Sequence, residues 1–390
     1  MIYQFANRSV PDLKFFGNTF ILLALAKFLR ESIIIANKRS EIDTQTQINI
    51  SNLLNIIYRN YPKGNIKTRE EDILHFHFPE SDVFCVDNFQ GTKVMHLHIF
   101  PGYDDKDDEK YVSSLIEQQK KGNISHFIAV SNSVAERYSS FIPQNKLTVI
   151  FPGVYDIYNP IGQKKRIKIR QHLGLSSSFL FGFLGRLDTR KGYYDLLEIL
   201  KFFNENKKYD VSFVISTTSG THLVNFDRDI KNCAFRLAEE NRIRIIPDIS
   251  KYSFLFNYNP EIIEYFINIF SKIGKKTKLY QGITTEPMPS FVDCVIHPAW
   301  TEPFGLSPLE SICSGTPVIA YNVGGIPEFL NDERGYLLPY SDQSIRVKKF
   351  IEAMIAAYES ERKIVLPSEV RRGYSVNEMC LRTQEIYNKL

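Results

Sequence analysis

The residues best suited to chemistry gather around two glutamates, Glu302 and Glu310, which flank Pro303-Phe304-Gly305-Leu306-Ser307-Pro308. Ser307 is a favourable helix N-cap, Pro308 suits the first helical position and Gly315 suits the C-terminal cap. A helix is therefore predicted to open at Ser307, with Glu302 on the preceding loop and Glu310 in the first turn. The backbone N–H groups from Gly305 to Leu309 then point out of the helix N-terminus and form an anion site. Two carboxylates beside such a site would repel a bare phosphate, but they accept hydrogen bonds from hydroxyls. A sugar and a ribose on either side of a diphosphate would supply those hydroxyls. Taken singly, the two residues leave a plainer reading open: Glu310 favours the helix dipole and Glu302 is a surface loop residue.

Two cations, Arg186 and Lys191, fall in Gly185-Arg186-Leu187-Asp188-Thr189-Arg190-Lys191-Gly192, directly after an apolar run. An Arg fork and a Lys point charge can clamp a diphosphate together, and an exposed basic turn is the competing reading. Lys191 reads as turn-exposed and of little weight for stability. Two pairs of histidines, His75 with His77 and His96 with His98, close successive strand candidates; His75 and His77 read as pocket walls. The acidic run 104–109 lacks the Gly and the terminal Glu of a calcium loop and reads as a solvated loop. Asp227-Arg228-Asp229 is a lone Asp-x-Asp in a charged helical stretch. No metal site is assigned.

The elements that must position these residues follow from periodicity. Strand candidates lie at 2–6, 32–36, 73–76, 93–99, 126–130 and 148–151, then at 179–184, 211–216, 242–246, 294–297 and 317–320. Several are near-continuous apolar runs, as parallel strands covered on both faces require. Helix-length patterns lie between them, at 20–29, 133–140, 193–204 and 260–273. Ser133 and Glu136 have capping-box spacing. Alternation of this kind implies βαβ units, here two Rossmann-like, doubly wound parallel sheets in tandem, joined through the polar, basic stretch near 151–170.

Composition sets the bounds. The 390 residues suit two or three domains, and 43% hydrophobic with 24% charged residues exclude whole-chain disorder. The net charge of +4 does not point to nucleic acid. The five cysteines have no CxxC spacing, which suggests a reducing cytoplasm. Neither a signal peptide nor a membrane span is expected, because the apolar run 15–28 is short and interrupted. Peripheral contact with the inner membrane face stays compatible with this reading.

The chemistry-bearing segments resemble the retaining GT-B glycosyltransferases, glycosyltransferase family 4 with its Glu-x7-Glu motif in particular. The resemblance covers Glu302, Phe304-Gly305-Leu306, Leu309-Glu310, Gly315, Pro317-Val318-Ile319-Ala320 and Gly324-Gly325-Ile326-Pro327-Glu328, and also Gly185-Arg186-Leu187 with Lys191-Gly192. It implies an acceptor-side domain over 1–155, a nucleotide-sugar domain over 156–370 and a last helix, 371–390, that crosses back. The two domains would face a cleft. The resemblance places Glu302 by the donor sugar, Glu310 on the ribose, and Arg186 and Lys191 on the leaving diphosphate. Phe304, Gly305, Leu306 and Ser307 line the nucleotide side. In the first domain His98 matches the histidine that reaches the donor sugar, and Gly17, in Phe16-Gly17-Asn18, stands for a diglycine loop near the donor phosphates.

The implied reaction is metal-independent transfer of a sugar from a UDP- or GDP-sugar to a glycan or lipid-linked acceptor, with retained configuration. A nucleotide-sugar epimerase of this fold and a non-catalytic sugar-nucleotide-binding partner subunit are the alternatives. A phosphorylase would need a pyridoxal-phosphate lysine, and no G-x-G-x-x-G follows the first strand to suggest a dehydrogenase. The loops at 217–222 and 280–288 would choose sugar and base.

Overall fold

The computed structural model of the chain describes residues 1–6, 17–29, 32–36, 57–60, 69–77, 90–101, 113, 115–175, 179–217, 221–246, 286–360 and 368–390. The acidic run 104–109 and the helical pattern 260–273 lie outside them. The chain divides into two units, Met1–Gly153 with Arg372–Leu390, and Val154–Arg371.

The first unit holds β1 (Ile2–Ala6), β2 (Ser32–Ala36), β3 (Ile57–Asn60), β4 (Ile73–Phe76), β5 (Thr92–Leu97), β6 (His126–Ala129) and β7 (Leu147–Val149). Every pairing is parallel, in the order β3-β2-β1-β4-β5-β6-β7. Helix α1 (Gly17–Phe28) buries Ile21, Leu22 and Leu25, the stripe that helical periodicity demands. Helix α2 (Asn132–Tyr138) is capped by Ser131, whose hydroxyl accepts the Val134 N–H at 3.0 Å. The expected Ser133–Glu136 box is therefore displaced, because Ser131 already holds the extended backbone a cap needs.

The second unit repeats the pattern with β8 (Phe179–Leu184), β9 (Val211–Ser216), β10 (Ile243–Ile246), β11 (Cys294–His297), β12 (Val318–Tyr321) and β13 (Gly335–Leu338), ordered β10-β9-β8-β11-β12-β13 and again all parallel. Strands β9, β11 and β12 are buried along their whole length, which explains their largely apolar character. The longer helices described are α3 (Gln163–His172), α4 (Tyr193–Glu205), α5 (Phe226–Cys233), α6 (Leu306–Cys313) and α7 (Gln343–Ser360). In α4, Leu196, Ile199, Leu200 and Phe203 face inward, and Phe203 meets Phe181 and Phe213 with ring centroids 5.9 and 5.8 Å apart.

The basic stretch expected to be a joint is helical. Arg166 and Arg170 of α3 donate to the Phe291 carbonyl at 3.3 and 2.7 Å, and both pair with Asp293, at 2.6 and 2.9 Å. Polar anchoring, not an apolar stripe, fixes that helix. The last helix, α8 (Val376–Tyr387), belongs to the first unit and opens at Ser375, which accepts the Glu378 N–H at 3.1 Å. No helix among the described residues is long and apolar enough to cross a membrane.

Candidate active site

In both sheets the strand order reverses beside the first strand, at β1/β4 and at β8/β11. Loops leaving the carboxyl ends of two such strands diverge and leave a crevice. In the second unit these are the loops that carry Arg186, Lys191 and Glu302. The β8 loop ends in a 3-10 turn, Thr189–Lys191, capped by Asp188, whose carboxylate accepts the Lys191 N–H at 3.1 Å. Gly192 follows at φ +79°, and a Cβ there would stand 1.9 Å from the Pro298 carbonyl oxygen. Trp300 N–H donates to the Arg190 carbonyl at 2.8 Å. The two loops are thereby locked together.

That locking makes the central contact. Lys191 Nζ donates to Glu302 Oε2, and the same oxygen lies 3.1 Å from His297 Nε2. A carboxylate oxygen only accepts, so His297 carries its proton on Nε2. Lys191 and Glu302 are 18% and 9% exposed as side chains, which corrects the expectation of a turn-exposed lysine. Burial alone would raise the Glu302 pKa; the Lys191 ammonium and His297 overcome it and hold the carboxyl at about 2. Burial pushes the His297 pKa below its ordinary value, against the pull of Glu302, so His297 is a neutral donor. Arg186, at the mouth of the loop, pairs with Asp188 at 3.2 Å.

Glu302 is held from its backbone too, since its carbonyl accepts the Gly325 N–H at 3.0 Å. Helix α6 begins at Leu306, two residues before the expected first helical position, Pro308. Its N-cap is Gly305 at φ +106°, ψ +57°, where a Cβ would meet Ile326 Cδ1 at 2.4 Å. Ser307 thus lies inside the helix, where its carbonyl accepts the Ser311 hydroxyl at 2.7 Å, and Glu310 sits buried in the second turn. A left-handed glycine turns the chain so sharply that no side-chain cap is needed. Phe304 is buried against Phe329, ring centroids 5.3 Å apart.

Behind the loops stands a charged brace that sequence reading missed. Arg346 grips Asp195 with two bonds of 2.8 and 2.9 Å, and Tyr321 donates to the same carboxylate at 2.9 Å. The Arg346 guanidinium lies 4.8 Å over the Trp300 ring, on the loop leading to Glu302. Asp188 and His297 were also missed. His297 had a signal, a strand-end histidine just before the motif, whereas Asp195 and Arg346 lie 151 residues apart with none. Asp229, from the lone Asp-x-Asp, accepts the Tyr193 hydroxyl at 2.6 Å.

In the first unit Gly17 is the first residue of α1, and residues 7–16, directly before it, lie outside those described. His98 follows β5, half-buried, with Nε2 3.3 Å from His77 Nδ1 and its ring stacked on His96 at 4.3 Å. His77 Nε2 lies 2.7 Å from Gln4 Oε1, and Gln4 Nε2 donates to the Tyr387 hydroxyl at 3.2 Å. Burial lowers the pKa of His75, His77 and His98 well below the ordinary value and that of His96 to about 3, so the cluster is neutral. The supposed pocket walls are therefore a buried network.

Residues 272–365 match the family model of group 1 glycosyl transferases. Among curated proteins, the chain is 23% identical over 290 residues to an uncharacterized glycosyltransferase of Methanocaldococcus jannaschii, covering 72% of this chain and 64% of that protein. It is 24% identical over 254 residues to the capsular polysaccharide biosynthesis glycosyltransferase CapM of Staphylococcus aureus, covering 63% and 56%. The chain thus spans less than two thirds of the length of these relatives. Among solved structures, Anabaena HepE in complex with UDP and glucose aligns with a TM-score of 0.68 at 16% identity, covering 100% of this chain and 99% of that one. The fold is that of the GT-B glycosyltransferases, two parallel-sheet α/β domains in one chain.

Proposed function

We propose that the chain is a retaining glycosyltransferase similar to family 4, which moves a hexose from a nucleotide-diphosphate sugar to a hydroxyl of a glycan or lipid-linked acceptor. The observation that carries the reading is the Lys191–Glu302–His297 cluster at the carboxyl edge of β8 and β11. It joins the two loops on which the diphosphate and sugar motifs fall. Lys191 has three N–H donors, so it can keep one on Glu302 and turn the others to a diphosphate. Arg186 adds a planar fork from the same loop. The α6 amides at Leu306 and Ser307 contribute the positive end of the helix, with Phe304 and Gly305 shaping the approach. Glu302 accepts from a sugar hydroxyl and Glu310 from the ribose. His98 and Gly17 serve the sugar and the donor phosphates from the first unit.

In this reading the bond from the anomeric carbon to the diphosphate breaks as the acceptor oxygen bonds the same carbon on the same face. The acceptor proton passes to the departing phosphate oxygen. Charge grows on the diphosphate in that step, and the fixed cations stabilise it, so no divalent cation is assigned to the donor. The UDP bound by HepE favours a uridine donor over a guanosine one, and the name of CapM favours a polysaccharide acceptor. Work at the cytoplasmic face of a membrane would suit a lipid-linked acceptor; nucleic acid has no part in it.

Incubation of the protein with UDP- and GDP-sugars, with and without acceptor, tests the proposal. Acceptor-dependent nucleotide release, with the anomeric configuration retained by NMR, is the expected result. Isomerised sugar without release would make it an epimerase, and binding without turnover a partner subunit; either outcome overturns the proposal.

A further inference from the structure

The first unit carries a cluster that the transfer chemistry does not use. His75 of β4 lies opposite Val94 of β5, so continuing the register sets His77 beside His96, all on one face of the sheet. His75, His77 and His96 are 0%, 0% and 1% exposed, and one nitrogen of each lies within 4.8 Å of the others. Yet His75 Nε2 and both nitrogens of His96 are buried without a hydrogen-bond partner among the described residues. Buried polar atoms in that state are costly and call for an explanation.

The opposite nitrogens of two rings are held from outside. His75 Nδ1 is 2.5 Å from the Tyr387 hydroxyl, and His77 Nε2 is 2.7 Å from Gln4 Oε1. His77 Nε2 faces a carbonyl oxygen and so carries its proton, which leaves the lone pair on Nδ1. That lone pair lies 3.3 Å from His98 Nε2, a contact an ion would displace. With His75 donating from Nδ1 to Tyr387, the His75 Nε2 lone pair is left as well. An outer hydrogen bond that orients an inner lone pair is the arrangement found around metal-bound imidazoles. We propose that His75, His77 and His96 form a three-histidine site for a divalent transition-metal ion of the zinc class. The ligand set is all nitrogen and holds no carboxylate, which selects against calcium and magnesium. The rings of His75 and His96 stack within 7° of parallel, so they must turn about χ2 to converge, a broad torsion. The affinity expected is therefore weaker than that of a preformed structural site. The ion is not the donor's cation. By fixing His96, it would hold the ring on which His98 stacks.

The test uses the full chain, washed with chelator and titrated with Co(II). One equivalent should bind, with the visible absorption of a low-coordinate imidazole complex, and Zn(II) should displace it. His96→Gln should abolish that signal, while Tyr387→Phe should keep the stoichiometry and weaken binding about 10- to 100-fold. His172→Gln, on the exposed α3 surface, should change nothing. Anomalous diffraction at the zinc edge from wild-type crystals avoids any folding defect of the variants, and should place the ion among the three histidines. No saturable Co(II) binding, an unchanged signal in a folded His96→Gln protein, or a zinc peak only elsewhere would overturn the proposal.

Discussion

At the matching point of the two sheets, where strand order reverses, the units bury opposite kinds of polar chemistry. Beside β8 and β11 the second unit buries a charged pair, Lys191 with Glu302, and braces the loop with another, Arg346 with Asp195. Beside β1 and β4 the first unit gathers neutral groups: His75, His77 and His98 are hydrogen-bonded with Gln4 and Tyr387, and the His96 ring stacks among them. Topology brings strand ends together in both; the side chains decide what the crevice can hold. A buried carboxylate needs its cation always present, whereas a neutral imidazole has an open lone pair to offer.

The charged side should break hardest. Lys191→Ala is expected to lower turnover by about a hundred- to a thousandfold, the scale of losing one transition-state stabiliser. Kinetics corrected for the folded fraction would show it, and a variant that only weakens donor binding would remove Lys191 from the reacting charge. The same change leaves Glu302 buried without its ammonium, so stability should fall by about 3–5 kcal/mol in urea unfolding. Lys191→Ala combined with Glu302→Gln should cost less than the sum of the singles. Equal sums would mean that the pair is uncoupled.

Acid should separate the units in the other order. The clustered histidines have folded pKa values below their ordinary 6.5, so the unfolded state binds more protons. Their contribution is complete above pH 6.5 and is lost as pH falls toward about 3, where His96 titrates. Glu302 is likewise depressed, from 4.5 to about 2, so its contribution is lost only within that lower window. With chelator present, hydrogen exchange followed from pH 7 to 4 should loosen β4 and β5 before β8 and the Glu302 loop. The reverse order would contradict the assignment of neutral and charged groups. On the neutral side, Tyr387→Phe should cost about 1–3 kcal/mol by stranding His75 Nδ1 and Gln4 Nε2.

Much of the fold was legible because parallel strands buried on both faces leave near-continuous apolar runs, as in β8, β9 and β11. What escaped had polar reasons. Strand β3 ends in Arg59 and Asn60, β13 is a short Gly-Tyr-Leu-Leu, and α3 reads as a linker because arginines rather than leucines anchor it. The site shows the same division. Glu302 and Lys191 stand out by motif, but their pairing spans 111 residues and depends on β8 lying next to β11. Histidine spacing on β4 and β5 was visible, whereas the register that joins His77 to His96, and the reach of Tyr387 back to His75 across 312 residues, were not.

The most direct measurement is a crystal structure of the full chain with an unreactive UDP-sugar analogue. The account predicts the diphosphate within hydrogen-bond distance of Lys191 Nζ and the Arg186 guanidinium, with ribose hydroxyls on Glu310 and a sugar hydroxyl on Glu302. A diphosphate seated away from the β8 loop, with the Lys191–Glu302 pair untouched, would contradict it.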